Sequence, residues 1–170
     1  GRDVRPAVAE RGRAGIPTSL DRALERGTLD EAAPEAALGN LSFTTEIGDL
    51  GDCDLVVEAV VESFDLKAEV FRALDEVVAS PDAVLATNTS SIPIIDIAMA
   101  TGRPERVIGM HFFNPAPVMK LVEVIPSVRT DPVVTDLITA FATDVLDKVV
   151  VAAKDRAGFV VNMLLVPYLN

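Results

Sequence analysis

Apolar residues recur along this chain in two alternating rhythms, short β-branched runs and stripes at helical spacing. Leu20 and Leu24 sit one helical turn apart, and Gly27 follows where a helix C-cap is expected. Leu41 and Phe43 alternate with polar neighbours, predicting a short half-exposed strand. Asp54–Val61 (DLVVEAVV) is a nearly continuous β-branched run, the pattern of a buried parallel strand. Leu66, Val70, Leu74 and Val77/Val78 then form one apolar stripe on a helix that Asp65 is placed to cap. Ser80-Pro81-Asp82 makes a turn, and Ala83–Ala86 is a second buried strand leading into Thr87-Asn88-Thr89-Ser90-Ser91. A short helix follows with Ile94, Ile95 and Ala98 inward, ended by Thr101-Gly102-Arg103-Pro104.

Arg106–Phe113 and Lys120–Ile125 read as strands on either side of a rigid Asn114-Pro115-Ala116-Pro117 loop. That loop is too short for a crossover, so antiparallel pairing is expected there. Asp131-Pro132 is a helix start with Pro at the first helical position. Val133, Leu137, Phe141 and Val145 repeat down its length as an amphipathic stripe. Lys148–Ala152 reads as a last strand, and from Phe159 the chain is apolar all round, as in a buried helix. Alternation of this kind implies an α/β layered sheet, largely parallel in its first part. Asp155-Arg156-Ala157-Gly158 is the expected domain boundary.

Composition narrows the function. Hydrophobic residues make up 49% of the 170, which suits a globular core and not a disordered chain. The net charge of −11 argues against nucleic acid, whose binding rests on phosphate neutralisation. It leaves room for a small phosphorylated ligand in a locally basic or amide-lined pocket. A single cysteine, Cys53, permits no disulfide within the chain and fits a reducing cytoplasm. Cys53 is either a nucleophile or, as a small residue near a strand start, a piece of packing. No secretory h-region is present, and the apolar run around Phe159–Leu169 is too short to span a bilayer.

Ligands of open α/β sheets bind beyond the carboxyl ends of the strands. Glu62, the Asn88–Ser91 cluster, His111 and Asn114 all fall there. His111 is the only histidine, and Glu123 lies on the next strand across the proline loop. A carboxylate against an imidazole fixes the tautomer and stabilises the imidazolium, as a general base requires. The same pair also serves as a purely structural hydrogen bond. Ser90 is a hydrogen-bond donor to a substrate or part of a helix cap, and Ser91 is better read as a cap. Asn162, polar within FVVNMLL, needs either a structural partner or a ligand. Glu62 and Lys67 flank a helix start and, taken alone, read as a solvated or capping pair. No G-x-S-x-G elbow occurs, which disfavours a serine hydrolase.

Three segments carry a specific resemblance: TNTSSIPI, GRPERVIGMHFFNPAPVMKLVEV and GFVVNMLLVPYLN. In order and spacing the chain from about Leu41 to Asn170 resembles the 3-hydroxyacyl-CoA dehydrogenases, most closely the bacterial 3-hydroxybutyryl-CoA dehydrogenases. The resemblance implies a Rossmann-like dinucleotide-binding α/β domain followed by an all-helical C-terminal domain. It would divide the chain into residues 1–157 of a truncated NAD-binding domain and 158–170 as the first helix of the helical one. It implies oxidation of a 3-hydroxyacyl-CoA to a 3-oxoacyl-CoA with NAD, with 3-hydroxybutyryl-CoA the expected substrate. His111 then inherits the role of general base, Glu123 its orientation, and Ser90 and Asn162 hydrogen bonds to the acyl-CoA substrate. Glu62, Lys67, Ser90 and Asn114 inherit contacts to the cofactor. The family's usual homodimer is the implied partner state of the full-length form, without nucleic acid or membrane, in the cytoplasm. A β-hydroxyacid dehydrogenase, by contrast, would carry a catalytic lysine in place of the HFFNP histidine.

The sequence also departs from the family. No G-x-G-x-x-G occurs, and Arg5-Pro6 stands where the second strand's apolar run is expected. Met163 stands where the family commonly has arginine. A gene fragment, or a truncated copy with little NAD affinity or activity alone, is therefore expected. The alternative function is a non-catalytic remnant that binds acyl-CoA or pairs with a full-length homologue.

Overall fold

A computed structural model describes residues 6–27, 33–156 and 158–165, in two compact units that divide between Asp49 and Leu50. In the first unit lie helices α1 (Pro6–Glu25) and α2 (Ala33–Gly39). Gly27 closes α1 at φ +68°, donating its amide to Leu24, as the expected C-cap requires. The strand expected at Leu41 and Phe43 does not form. Both side chains are exposed and the backbone there is irregular, since alternation makes a strand only where a ladder partner exists.

The second unit is built on a five-stranded sheet in the order β1 (Leu55–Glu58), β2 (Val84–Thr87), β3 (Val107–Phe112), β4 (Leu121–Pro126), β5 (Val149–Ala152). β1, β2 and β3 run parallel, β4 is antiparallel to β3, and β5 is parallel to β4. The parallel start and the antiparallel pair across the Asn114–Pro117 loop are as the sequence predicts. β1 departs from the expected double burial, because it forms the edge of this sheet. Val57 is 40% exposed and only Glu58 is fully buried.

Helix α3 (Phe64–Val77) joins β1 to β2, α4 (Ile94–Ala98) joins β2 to β3, and α5 (Pro132–Ala140) joins β4 to β5. Side chains along a strand alternate between faces. Ile108 and Met110 of β3 therefore join Val84, Ala86, Val122 and Val124 in one core with Val134 and Ile138 of α5. Gly109 and His111 point the other way. A methyl group at Gly109 would meet Ile94 of α4 at 2.7 Å and Ile125 at 2.9 Å, so only glycine admits this close approach of helix to sheet.

Three helix readings need correction. Ser63, not Asp65, occupies the N-cap of α3 and makes no side-chain cap, which leaves Asp65 inside the first turn. The buried face of α3 is Lys67, Ala68, Phe71, Ala73 and Leu74, while Leu66 is exposed. On α5 the Asp131-Pro132 start is as expected, with the Asp131 carboxylate accepting the Val133 amide. Three of the four residues of its expected stripe face solvent, however, and only Phe141 packs partly against the core. Val133 is 66%, Leu137 54% and Val145 68% exposed, and the neighbouring stripe Val134, Ile138 and Ala142 is buried instead. After Phe141 the helix widens into a π turn that ends at Val145.

Past β5, Gly158 (φ +77°) and Phe159 (φ +48°) make a left-handed turn into α6 (Val161–Leu165). Phe159 is buried but Met163 is 56% exposed, so this helix is not buried all round as its composition implies. Among the described residues, no helix is long and apolar enough to cross a membrane.

Candidate functional site

The antiparallel register sets His111 of β3 directly opposite Glu123 of β4. Directly opposed residues share a face of the sheet, so the sequence separation of the two becomes a side-chain contact. His111 Nδ1 lies 2.7 Å from Glu123 Oε2, and both residues are buried. The other oxygen, Oε1, accepts the backbone amides of Val160 at 3.0 Å and Val161 at 2.9 Å. An ionised carboxylate only accepts, so Nδ1 is the donor to it, and in the neutral ring Nε2 is then the nitrogen with the lone pair. Nε2 faces the Ser90 hydroxyl at 3.3 Å. The rings of Phe113 and Phe159 flank the imidazole, with centroids 4.7 and 5.8 Å away.

Ser90 belongs to the loop after β2, and Glu62 holds that loop. Glu62 Oε1 accepts the Thr89 hydroxyl (2.6 Å), the Ser90 amide (2.9 Å), the Ser91 amide (3.0 Å) and the Ser91 hydroxyl (3.0 Å). Partial burial pushes the Glu62 carboxyl up, but the bonds from Thr89, Ser90 and Ser91 and the charge of Lys67 prevail. The net result is a pKa below its ordinary 4.5. Ser91 is thus not the cap of α4 that the sequence favours. The cap is supplied from far along the chain by Asp155, whose carboxylate accepts the amides of Ile94 at 2.7 Å and Ile95 at 2.8 Å.

Lys67 is not the solvated partner that its spacing from Glu62 implies. Its side chain is 1% exposed, and its ammonium binds Glu58 at 2.9 and 3.1 Å and the Val60 carbonyl at 3.2 Å. Glu62 Oε2 lies further off, at 3.5 Å. Glu58 also accepts the Thr87 hydroxyl at 2.7 Å. Sequence reasoning passed over Glu58, although a charged residue inside a β-branched run is the signal that could have found it. Asp155, read as part of a domain boundary, carried no such signal.

The Asn88 carboxamide oxygen accepts the Phe112 amide at 2.8 Å and ties the β2 loop to the end of β3. Asn162, half-buried on α6, donates to the Ser90 carbonyl at 3.5 Å, the outer limit of a hydrogen bond. Glu62, Ser90, His111, Glu123 and Asn162 thus converge through one bonded network. Asn114 is exposed just past β3, on the cis Asn114–Pro115 bond, outside that network among the described residues. Cys53 is a free, partly buried thiol near the start of β1. No group of three or more His, Cys, Asp or Glu that could hold a metal occurs among the described residues.

Comparison with known proteins identifies the family of the chain. The sequence matches the family described as 3-hydroxyacyl-CoA dehydrogenase, NAD binding domain, over residues 2–156. It is 53% identical over 163 residues to a 3-hydroxybutyryl-CoA dehydrogenase of Mycobacterium tuberculosis, covering 96% of this chain and 57% of that protein. Its fold superposes on the crystal structure of (S)-3-hydroxybutyryl-CoA dehydrogenase from Ralstonia eutropha with a TM-score of 0.92. There the identity is 38%, over 98% of this chain and 58% of that one. On 3-hydroxybutyryl-CoA dehydrogenase from Escherichia coli the TM-score is 0.91 at 39% identity, over 98% of this chain and 35% of that one. The chain spans just under three-fifths of the length of the curated relative from M. tuberculosis. Because the family match covers nearly all of its residues, the chain belongs to the NAD-binding-domain family of the 3-hydroxyacyl-CoA dehydrogenases.

Proposed function

We propose that these residues form the proton-transfer side of an NAD-dependent 3-hydroxyacyl-CoA dehydrogenase acting on a short acyl chain such as 3-hydroxybutyryl-CoA. The observation that carries the reading is the polarised imidazole. A buried carboxylate occupies His111 Nδ1, which leaves Nε2 open toward the Ser90 hydroxyl.

His111 Nε2 takes the proton of the substrate's 3-hydroxyl, and Glu123 balances the positive charge that appears on the ring. Ser90 Oγ and Nε2 stand 3.3 Å apart, close enough for one substrate hydroxyl to hydrogen-bond both from the open side. Ser90 Oγ and the Asn162 amide then hold the substrate oxygen against the ring. Phe113 and Phe159 shield the imidazole from water, which strengthens its pairing with Glu123. In the reverse direction His111 returns the proton.

The residues present fit the nicotinamide-bearing half of NAD. The Glu62 side chain is 38% exposed and can accept from a ribose hydroxyl through Oε2, while Ser90, whose amide Glu62 holds, and Asn114, exposed past β3, offer further polar groups. Lys67 acts through Glu62, because its donors are already taken by Glu58 and Val60. The chemistry that bound NAD would supply is that of a hydride acceptor for the carbinol carbon. No G-x-G-x-x-G occurs in the 170 residues, so NAD is expected to bind them only weakly by themselves.

The test has two readouts. NADH consumption with acetoacetyl-CoA is expected to be slow and to disappear in His111→Gln. Independently, acetoacetyl-CoA is expected to move the NMR signal of His111, the chain's one histidine. Turnover that survives His111→Gln, or a His111 signal indifferent to acetoacetyl-CoA, overturns the assignment.

A further inference from the structure

Glu58 is a buried carboxylate that the proposed reaction does not use. It sits at the end of β1, and its two oxygens collect the Lys67 ammonium, the Thr87 hydroxyl and the Val60 amide. As a source of stability this is a poor investment, since a buried ion pair roughly cancels its own desolvation and an apolar pair packs as well. What the arrangement supplies is fixed geometry.

Two routes lead from Glu58 to the same loop. By the first, Glu58 holds Lys67, Lys67 faces Glu62 Oε2 at 3.5 Å, and Glu62 Oε1 collects the donors of Thr89, Ser90 and Ser91. By the second, Glu58 accepts a hydrogen bond from the Thr87 hydroxyl, which leaves the Thr87 Oγ1 lone pairs to accept the Thr89 amide at 3.3 Å. Both routes converge on the Thr89–Ser90 loop, where the Ser90 hydroxyl faces His111 Nε2. We propose that Glu58 is a positioning residue: through Lys67–Glu62 and through Thr87 it sets where Ser90 stands against His111. Its bearing on turnover rests on the dehydrogenase reading above, but the positioning itself does not.

The experiment follows the His111 ring resonances at fixed pH in the full 170-residue chain. Ser90→Ala supplies the reference displacement. Glu58→Gln is expected to produce most of that displacement, and to add little when combined with Ser90→Ala. A merely structural Glu58 would lower the melting temperature and leave the ring signal of the folded protein in place. Thr87→Val removes one of the two routes with little change in volume, and is expected to move the signal partway. It also decides the matter if Glu58→Gln does not fold. An unmoved His111 signal in folded Glu58→Gln, or in Thr87→Val where Glu58→Gln does not fold, overturns the proposal. A displacement that is just as large on the Ser90→Ala background overturns it too. Where the parent turns over, kcat is expected to fall about 10- to 100-fold, with the KM for acetoacetyl-CoA little changed. Coupling without any turnover supports the positioning and counts against the reaction.

Discussion

Glu123 binds His111 through only one of its two oxygens. Oε2 meets the imidazole Nδ1 at 2.7 Å, while Oε1 receives the amides of Val160 and Val161, which open α6. A single buried carboxylate therefore fixes the imidazole and the entry into the helix that carries Asn162. Ring and helix are held at the two ends of one rigid group.

Glu123→Gln separates these duties. The amide oxygen can still accept from Val160 and Val161, but its NH2 must then face Nδ1 and drive the imidazole proton to Nε2. The ring is left with its lone pair on the wrong side. Turnover is expected to fall about 10²–10⁴-fold with stability changed by about 1 kcal/mol. Steady-state NADH assays and urea unfolding check the two halves. If Glu123 only clamps the helix, the glutamine variant keeps its activity.

Glu62 predicts a pH dependence of stability. Its carboxyl pKa is lowered, against the opposing effect of burial, by the bonds from Thr89, Ser90 and Ser91 and by Lys67. A lowered folded-state value means that the unfolded chain binds more protons at mildly acidic pH, so stability rises with pH there. The contribution is complete above the ordinary 4.5 and is lost as pH falls through the lower folded value. Urea unfolding followed on acidification is expected to show a shallower loss in Glu62→Gln than in the parent. Equal slopes would mean that the loop bonds do not favour the charged form.

The five strands of the sheet and the His111–Glu123 pair were legible because each rests on a local signal, whereas the bare alternation at Leu41 and Phe43 misled. The β-branched runs mark the strands, and a short proline loop between two of them forces the antiparallel register that brings the pair together. The inward face of α5 was not legible. Val133, Leu137, Phe141 and Val145 form one stripe and Val134, Ile138 and Ala142 another, one residue away, and periodicity cannot choose between them. The sheet chose the second. Lys67 and Glu58 were hidden for a related reason. Each is polar by composition and buried in fact, and the partners that make burial tolerable lie on other elements. Asp155 reaches α4 from some sixty residues downstream, a relation that no local pattern encodes.

Gly109 offers a test of the packing beneath the site. An alanine methyl would lie 2.7 Å from Ile94 Cδ1 and 2.9 Å from Ile125 Cβ. The first neighbour can rotate away but the second is fixed on β4. Gly109→Ala is expected to destabilise by about 1–3 kcal/mol, lowering the melting temperature by roughly 2–4 °C for each kcal/mol. An unchanged melting temperature would mean that α4 stands further from the sheet than these distances allow.

The buried pair of Lys67 and Glu58 predicts a strong asymmetry between breaking it and replacing it. Lys67→Met removes the cation and leaves Glu58 with the Thr87 hydroxyl and the Val60 amide but without a counter-charge. Losing one member of a buried pair costs about 3–5 kcal/mol, most of it the penalty of the charge left behind. Adding Glu58→Gln removes that charge at nearly constant volume, and the glutamine oxygen can still accept from Thr87 or Val60. The double variant is therefore expected to regain much of what Lys67→Met loses, although it carries one substitution more. Urea unfolding of the parent, both single variants and the double variant closes the cycle. Strictly additive losses would mean that the two groups do not interact, contrary to the 2.9 Å between Lys67 Nζ and Glu58 Oε1.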